Sequence, residues 1–331
     1  MAALEIAKSR LGLQVPYTRP LLAARFCPTG RWAYTSSEDN TLQRWNLAEE
    51  KPQPLVMQGH ESWVHALCGT PQGQYFLSGG CDGRLIWWAS ADDKCTLHRQ
   101  VDAHQGWVRA IALSPDGKEL ATCGNDKTIA LWDLESGQLI HRWQAHPRDV
   151  YSVVYHPSGT QILSGDLLGN VIVWDRATRM QVKAIDAKAL HSFNGGQLVD
   201  FGGVRALAVS PDGKTLVAGG LHKSSNPLGA VHEPLCLRID LESGQVTKSH
   251  VAEGVTGGVL WGLRFLSDGT VMGVSGGSSG GMLLFWNAEK DPAIHRFNLP
   301  NIARDLDLHQ DGLRVCTSHH DHHLRVTHLS E

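Results

Sequence analysis

The chain has 331 residues, of which 42% are hydrophobic, and its formal net charge is -3 at pH 7. This charge offers no overall basic surface for nucleic acid, and no apolar run approaches the roughly 20 residues that span a bilayer. The seven cysteines occur singly, and the amino terminus lacks the apolar stretch of a secretion signal. We therefore expect a cytoplasmic protein, intracellular and soluble, with no nucleic acid or membrane partner.

Seven similar hairpins follow one another along the chain. In each of them apolar residues precede a turn that contains Pro, Asp or Gly, which is typical of paired β-strands. In chain order these are Ala24 and Phe26 before Pro28-Thr29-Gly30, Leu67 before Pro71-Gln72-Gly73, Ile111 and Leu113 before Pro115-Asp116-Gly117, Val153 and Tyr155 before Pro157-Ser158-Gly159, Leu207 and Val209 before Pro211-Asp212-Gly213, Leu263 and Phe265 before Ser267-Asp268-Gly269, and Leu306 and Leu308 before Gln310-Asp311-Gly312.

A second mark recurs with the hairpins, a His early in the unit and a Trp late in it. In the clearest copy, Ala103-His104 is followed by Trp107-Val108 and then by Trp132-Asp133. A period of about 40–45 residues with these marks is typical of propeller blades, small sheets that bury their faces only by stacking on neighbours. The third strands of the seven units end at Trp45, Trp88, Trp132, Trp174, Ile239, Trp286 and Thr327.

These repeats predict an all-β fold, a seven-bladed β-propeller with four antiparallel strands per blade, as a single domain over residues 1–331. Longer intervals around the fifth unit are interpreted as insertions, at residues 186–202 and 219–233. The predicted blades occupy approximately residues 20–58, 59–102, 103–144, 145–186, 203–250, 256–299 and 301–329.

The seventh unit ends without a fourth strand of its own. Residues 3–8 alternate between apolar and polar side chains and precede the first blade. We expect this N-terminal strand to complete the last sheet and close the ring, because an open sheet edge invites aggregation.

With its repeated Ser-Pro-Asp-Gly turns and Trp-Asp pairs, the chain resembles the WD40-repeat family of seven-bladed propellers over essentially its whole length. Ser114-Pro115-Asp116-Gly117-Lys118 is most similar to prokaryotic-type members. The resemblance implies a buried hydrogen-bond chain within a blade, from Trp through Ser or Thr and His to Asp. The matching positions are His60, Ser78, Asp82 and Trp88 in the second blade, His104, Thr122, Asp126 and Trp132 in the third, and His146, Ser164 and Trp174 in the fourth.

The first blade matches this pattern without a His, and the fourth to seventh blades depart further, so we expect those four to depend on packing instead. The departures are the absence of a His beside Thr35, Asp39 and Trp45 in the first blade, Leu168 at the Asp position of the fourth, Ile239 at the Trp position of the fifth, Gly280 at the Asp position of the sixth, and Thr327 at the Trp position of the seventh, which keeps Thr317 and Asp321.

A His, an Asp and a Ser or Thr together could also form a nucleophilic triad. A catalytic triad occurs once, beside a pocket, whereas this set recurs in successive blades with a Trp using the hydroxyl. We therefore predict a scaffold role for these residues, no catalytic residues, no cofactor and no enzymatic activity.

The resemblance also implies a narrow top face, lined by the loops that lead into each first strand and by those between second and third strands. Trp, Tyr and Arg, which are enriched in interface hot spots, recur there. An alternative is that the Trp side chains only cover the seams between blades. The predicted partner-binding residues are Trp63, His65, Trp107, Arg109, Asp149, Tyr151, Arg205, Trp261 and Arg304.

The insertions of the fifth blade and a run of histidines in the seventh blade are two further candidate features. Both insertions of the fifth blade are predicted on the top face, with residues 223–227 mobile. His319, His320, His322 and His323 surround Asp321 and are weak candidates for a metal site, although neighbouring strand residues point to opposite faces. We predict no specific metal site there.

The leading hypothesis is a non-enzymatic interaction scaffold that binds a protein or peptide partner on its top face, as a monomeric propeller within a larger complex. Two alternatives remain open. One is a sensor of a small ligand or metal that uses the fifth-blade loops and residues 319–323, and the other is a propeller enzyme that uses the central channel.

Overall fold

Strands dominate the structure, a computed structural model that describes residues 3–91, 93–224 and 232–330. They form seven antiparallel sheets of four strands each, which confirms the predicted seven-bladed propeller. The helices of the described residues are two short 3₁₀ turns, Ile6–Lys8 and Lys188–Leu190. No helix in this part of the chain has the length and apolar character needed to cross a membrane.

In blades 1 to 4 the four strands are consecutive in the chain, and the first strand of each lies nearest the ring axis. The strands are Leu21–Phe26, Trp32–Ser37, Leu42–Asn46 and Leu55–Met57 in blade 1, Val64–Gly69, Tyr75–Gly80, Arg84–Ala89 and Leu97–Asp102 in blade 2, Val108–Leu113, Glu119–Gly124, Thr128–Asp133 and Leu139–Gln144 in blade 3, and Val150–Tyr155, Gln161–Asp166, Asn170–Asp175 and Gln181–Asp186 in blade 4.

Blades 5 and 6 follow the same order, and blade 7 takes its fourth strand from the amino terminus. The strands are Ala206–Val209, Thr215–His222, Glu233–Asp240 and Val246–Val251 in blade 5, Val259–Phe265, Val271–Gly277, Gly280–Trp286 and His295–Leu299 in blade 6, and Ala303–Leu308, Arg314–His319, His323–His328 and the N-terminal Arg10–Pro16 in blade 7. A separate hairpin of His191–Asn194 and Val199–Gly202 precedes blade 5.

The ring is closed by an N-terminal strand, but the prediction that residues 3–8 form it is wrong. The closing strand is Arg10–Pro16, which pairs antiparallel with His323–His328. Its residue Val15 is buried in the seam between blades 7 and 1. Residues 6–8 instead form a 3₁₀ turn, because Leu4 and Ile6 pack against the core between blades 6 and 7.

Seven apolar clusters form the core, and each is shared by two adjacent blades. The seventh contains Trp45 from blade 1 and Leu324 from blade 7, so the seam at the closure is as apolar as the others. The third-strand tryptophans lie in these clusters and are almost fully buried. Since every blade supplies residues to two clusters, each of its two faces packs against a neighbouring blade.

A hydrogen-bond chain links the strands within blade 2. Trp88 Nε1 donates to Ser78 Oγ at 2.8 Å, and His60 Nε2 lies 2.8 Å from the same hydroxyl. His60 Nδ1 lies 3.0 Å from Asp82, whose pKa is lowered by its hydrogen bonds even though burial opposes this. Blade 3 has the same arrangement in Trp132, Thr122, His104 and Asp126.

In blade 4 the expected loss of the carboxylate at Leu168 does not occur. Asp166, two residues earlier and fully buried, takes its place, with its Oδ2 3.2 Å from His146 Nδ1 in electrostatic contact. The backbone N–H of Leu168 donates to Asp166 Oδ1 at 2.9 Å, which explains why the leucine position itself needs no carboxylate. His146 and Trp174 meet at the Ser164 hydroxyl, as in the preceding blades.

The remaining blades use other arrangements around the same positions. In blade 1, Trp45 donates to Thr35, and the Gln43 side chain occupies the place of the missing His by accepting a hydrogen bond from that threonine at 2.8 Å. In blade 6, Trp286 Nε1 donates to a backbone carbonyl, that of Val251. Ile239 of blade 5 is fully buried in an apolar cluster.

Deletion of residues 1–16 tests the position of the closing strand. This deletion leaves the outer edge of His323–His328 unpaired and exposes the apolar neighbours of Val15, so we expect it to cost about 3 kcal/mol of the free energy of unfolding and to promote aggregation. Deletion of residues 1–8 retains the strand and should cost less. Thermal melting with light scattering distinguishes the two, and equal losses would contradict the assignment.

Substitution of Asp166 tests the rebuilt network of blade 4. We expect Asp166→Ala to lower the free energy of unfolding by about 1–3 kcal/mol, because it leaves buried donors without an acceptor. Leu168→Ala, at a partly exposed position, serves as the control and should cost less. Urea unfolding measures both, and a larger loss for the leucine variant would refute the role of Asp166.

Candidate interaction surface

The innermost strands of six blades begin with a β-bulge, one extra residue that does not pair with the second strand. A bulge turns its side chain away from the regular alternation of the sheet, and bulges are common beside functional sites. In blade 5, Arg205 occupies the equivalent place directly before the first paired residue. The bulged residues of the other blades are Leu22, His65, Arg109, Tyr151, Trp261 and Arg304.

These seven positions surround one end of the central channel, which contains a cavity of about 740 Å³. Of the nine residues predicted to bind a partner, the structure brings eight together as lining of this cavity. Asp149 does not line it and lies half-buried beside the others. We call the set of eight the channel rim: Trp63, His65, Trp107, Arg109, Tyr151, Arg205, Trp261 and Arg304.

Arginine side chains and aromatic rings alternate around much of the channel rim. The Arg109 guanidinium lies 4.2 Å from the ring centroid of Trp107 and 4.8 Å from that of Tyr151. Arg205 lies 4.3 Å from Tyr151 and 5.6 Å from Trp261. These cation–π contacts hold the two guanidinium groups in place without neutralising their charge.

The three rim arginines differ in their charge partners. Arg304 donates to Glu38 Oε1 at 2.7 Å, so its charge is balanced. Arg109 Nε donates to the amide oxygen of Asn125 at 2.6 Å, and Arg205 Nε donates to the backbone carbonyl of Gly202 at 2.9 Å. Neither forms an ion pair with a carboxylate of the described residues, and burial lowers the pKa of both, although arginine stays protonated in proteins.

His65 is a neutral member of the channel rim. Its ring stacks on Trp107 with the centroids 5.8 Å apart. Desolvation by burial lowers the pKa of His65 to about 4, and the positive charges of Arg109, Arg304 and Arg205 add to this effect. At neutral pH the imidazole therefore adds an aromatic surface and no charge.

Two rim tryptophans remain accessible. Trp63 is 42% exposed and Trp261 is 37% exposed, with their indole N–H groups donating to the backbone carbonyls of Glu38 and Gly276. More than a third of the surface of each side chain contacts solvent. They contrast with the third-strand tryptophans, which are buried in the core.

Several residues of this region were not found from the sequence. In blade 1, Leu22 lines the cavity and Glu38 pairs with Arg304. Deeper in the channel, Arg25 pairs with the buried Asp305, and Arg264 lies 2.9 Å from Asp307. The signal for these pairs was present in the first strand of blade 7, where acidic side chains interrupt an otherwise apolar alternation.

The histidine run of blade 7 is dispersed. His319 is buried between Thr317 and the backbone carbonyl of Asn301, while His323 contacts the carbonyl of Asp321. The Asp321 carboxylate forms two hydrogen bonds with Arg325. Within residues 3–91, 93–224 and 232–330, no three or more His, Cys, Asp or Glu side chains are grouped as metal ligands.

The first insertion before blade 5 forms the hairpin of His191–Asn194 and Val199–Gly202. It leads directly into the first strand of blade 5, and Asp200 pairs with Arg148 at 3.2 Å beside the start of blade 4. Phe193 and Leu198 are exposed on it. In the second insertion residues 225–231 lie outside the described residues, including most of the segment expected to be mobile.

The pKa of His65 yields a prediction for stability. Between pH 6.5 and about 4 the unfolded chain binds a proton at this residue and the native protein does not, so stability decreases as the pH falls through this window. We expect the free energy of unfolding to fall by about 2 kcal/mol more in the wild type than in His65→Gln between pH 7 and pH 4.5. Urea unfolding at both pH values measures this, and equal losses would contradict it.

Comparison with known proteins adds to this geometry. The model of the WD domain, G-beta repeat, matches residues 16–46, 52–89, 95–133, 137–175 and 188–224, together more than half of the chain.

Similar proteins include transcription initiation factor TFIID subunit 5 of Caenorhabditis elegans, 26% identical over 165 residues, which are 50% of this chain and 25% of that protein. Human pre-mRNA-processing factor 17 is 22% identical over 250 residues, 75% of this chain and 40% of that protein. The guanine nucleotide-binding protein subunit beta of Zea mays is 24% identical over 323 residues, 90% of this chain and 78% of that protein.

The chain thus spans less than half the length of the first two of these relatives. All three are eukaryotic, so the resemblance to prokaryotic-type members is not supported. The repeat matches and the seven sheets agree, and the chain belongs to the WD40 family, the family of the WD domain with G-beta repeats.

Proposed function

We propose that this protein is a non-enzymatic scaffold that binds a protein or peptide partner at the channel rim. One observation carries the proposal: the bulges of the innermost strands gather arginine and aromatic side chains from several blades around a single opening. Because the blades are fixed by their shared core, the rim is held ready before a partner arrives. Binding to such a surface costs little conformational entropy.

The chemistry of the rim suits a protein partner. Trp63 and Trp261 offer accessible apolar surface, and Arg109 and Arg205 offer charged donors. These residue types dominate the binding energy of protein interfaces when they lie in a well-packed central patch. The exposed hairpin before blade 5 lies on the same side and extends the surface available to a partner.

Two relatives are named as subunits, one of TFIID and one of a guanine nucleotide-binding protein. By analogy we propose that this propeller acts as a single copy within a larger complex. We propose the cytoplasm as its location, since all seven cysteines have free thiols, the state that a reducing compartment maintains.

A catalytic role has less support. The His and Asp pairs lie inside the blades, where a tryptophan N–H already uses the Ser or Thr hydroxyl. In the channel wall, Asp305 and Asp307 are paired with arginines. Within the described residues nothing favours the sensor or the enzyme over the scaffold.

The double substitution Trp107→Ala with Arg205→Ala tests the rim. We expect it to abolish partner capture from the native cell, because it removes an aromatic anchor and a charged donor, while the melting temperature changes little. Affinity purification with mass spectrometry measures the capture.

The matched control is Met180→Ala with Val182→Ala, two exposed residues on the outside of blade 4, far from the rim. This variant should retain the partners of the wild type. An unchanged set of partners for the rim variant would remove the channel rim as the binding surface.

A further inference from the structure

Arg109 and Arg205 differ from every other arginine of the channel. Arg304 is paired with Glu38, Arg25 with Asp305 and Arg264 with Asp307. In contrast, Arg109 and Arg205 have only neutral hydrogen-bond acceptors among the described residues. Their terminal nitrogens make no hydrogen bond among the described residues, and both side chains line the cavity.

The two guanidinium groups share one aromatic neighbour. Both lie over the ring of Tyr151, at 4.8 Å and 4.3 Å from its centroid. The charge of Arg109 disfavours that of Arg205 and contributes to the lowered pKa of Arg205, although desolvation by burial is the larger cause. Two like charges in a partly desolvated site are stabilised by an anion in the cavity that contacts both of them.

The charges around this pair define the anion. Asp149 acts electrostatically on both arginines without an ion pair to either, so its negative charge reduces the local excess to one positive charge. Arg304 and Glu38 cancel, and His65 is neutral at pH 7. A monoanion such as a carboxylate therefore balances the site, whereas a phosphate dianion would leave it negative.

We propose that Arg109, Arg205 and the Tyr151 ring form a pocket for one carboxylate, supplied by an acidic residue of a partner peptide. The neighbouring Trp107 and Trp261, whose ring centroids lie 4.2 Å from Arg109 and 5.6 Å from Arg205, favour apolar residues next to that acid. This inference rests on the proposed function and specifies the partner chemistry of the same rim.

The test uses three immobilised peptide libraries of equal length, degenerate except for a central Glu, Gln or phosphoserine, and the full-length protein. We expect the protein to be retained about tenfold more by the Glu library than by the Gln library, since a charge-assisted hydrogen bond is worth more than a neutral one. We also expect stronger retention on Glu than on phosphoserine. Equal retention on Glu and Gln would refute the pocket, and stronger retention on phosphoserine would refute its selectivity for a monoanion.

Three variants test which residues cause the preference for the Glu library. Arg109→Gln with Arg205→Gln should remove the preference for Glu, and Arg304→Gln, the matched control, should keep it because Glu38 already balances that charge. Asp149→Asn adds one positive charge to the site and should move the preference toward phosphoserine. Loss of preference in the control equal to that in the double variant would refute a specific pocket, as would an unaltered preference in the asparagine variant.

Melting curves of each variant exclude unfolding as the cause of a loss. Arg109→Lys provides a second check, since it keeps the charge and removes the planar fork, and should retain only part of the preference. If the Trp107 and Arg205 double variant loses its cellular partners while the wild type binds Glu and Gln libraries equally, the rim remains the interface and the carboxylate pocket is wrong.

Discussion

Each four-stranded blade has two faces to cover and no means of covering them alone. The structure meets this constraint with seven apolar clusters, every one of them shared between neighbours. Because the last cluster joins blade 7 to blade 1, the array has no terminal face to protect, in contrast to an open solenoid that needs capping repeats. The internal networks, such as that of His104 and Asp126, add order within a blade, while the shared seams hold the blades against each other.

The rigid ring gives the channel rim its geometry. A regular innermost strand would point alternate side chains into the seams on either side, whereas the bulge at its start frees one side chain to reach the mouth. Arg109 and Tyr151 come from different blades and still meet at 4.8 Å. The rim thus combines single residues from several blades. A substitution at one of these positions changes the chemistry of the rim and leaves the supporting strands as they are.

The blade count could be predicted because its signals are local, namely a hairpin turn with Pro, Asp or Gly in every unit and a buried Trp in five of the seven. The position of the closing strand could not, since residues 3–8 and Arg10–Pro16 both alternate and only the pairing with His323–His328 distinguishes them. Asp166 was missed because backbone geometry, rather than spacing, decides which residue reaches His146. Most rim residues followed from their offset in the repeat, but the pair of Arg304 with Glu38 joins distant parts of the chain and leaves no mark in the sequence.

Among the strands of the described residues, Arg10–Pro16 is synthesised first, and its neighbour His323–His328 is synthesised last. During synthesis Arg10–Pro16 therefore has no pairing partner until the sheets of blades 1 to 6 have been made. Contacts of such long sequence separation form late and slowly, because the loop they close is nearly the entire chain. The nascent protein is consequently an open arc until His323–His328 has been synthesised and pairs with Arg10–Pro16.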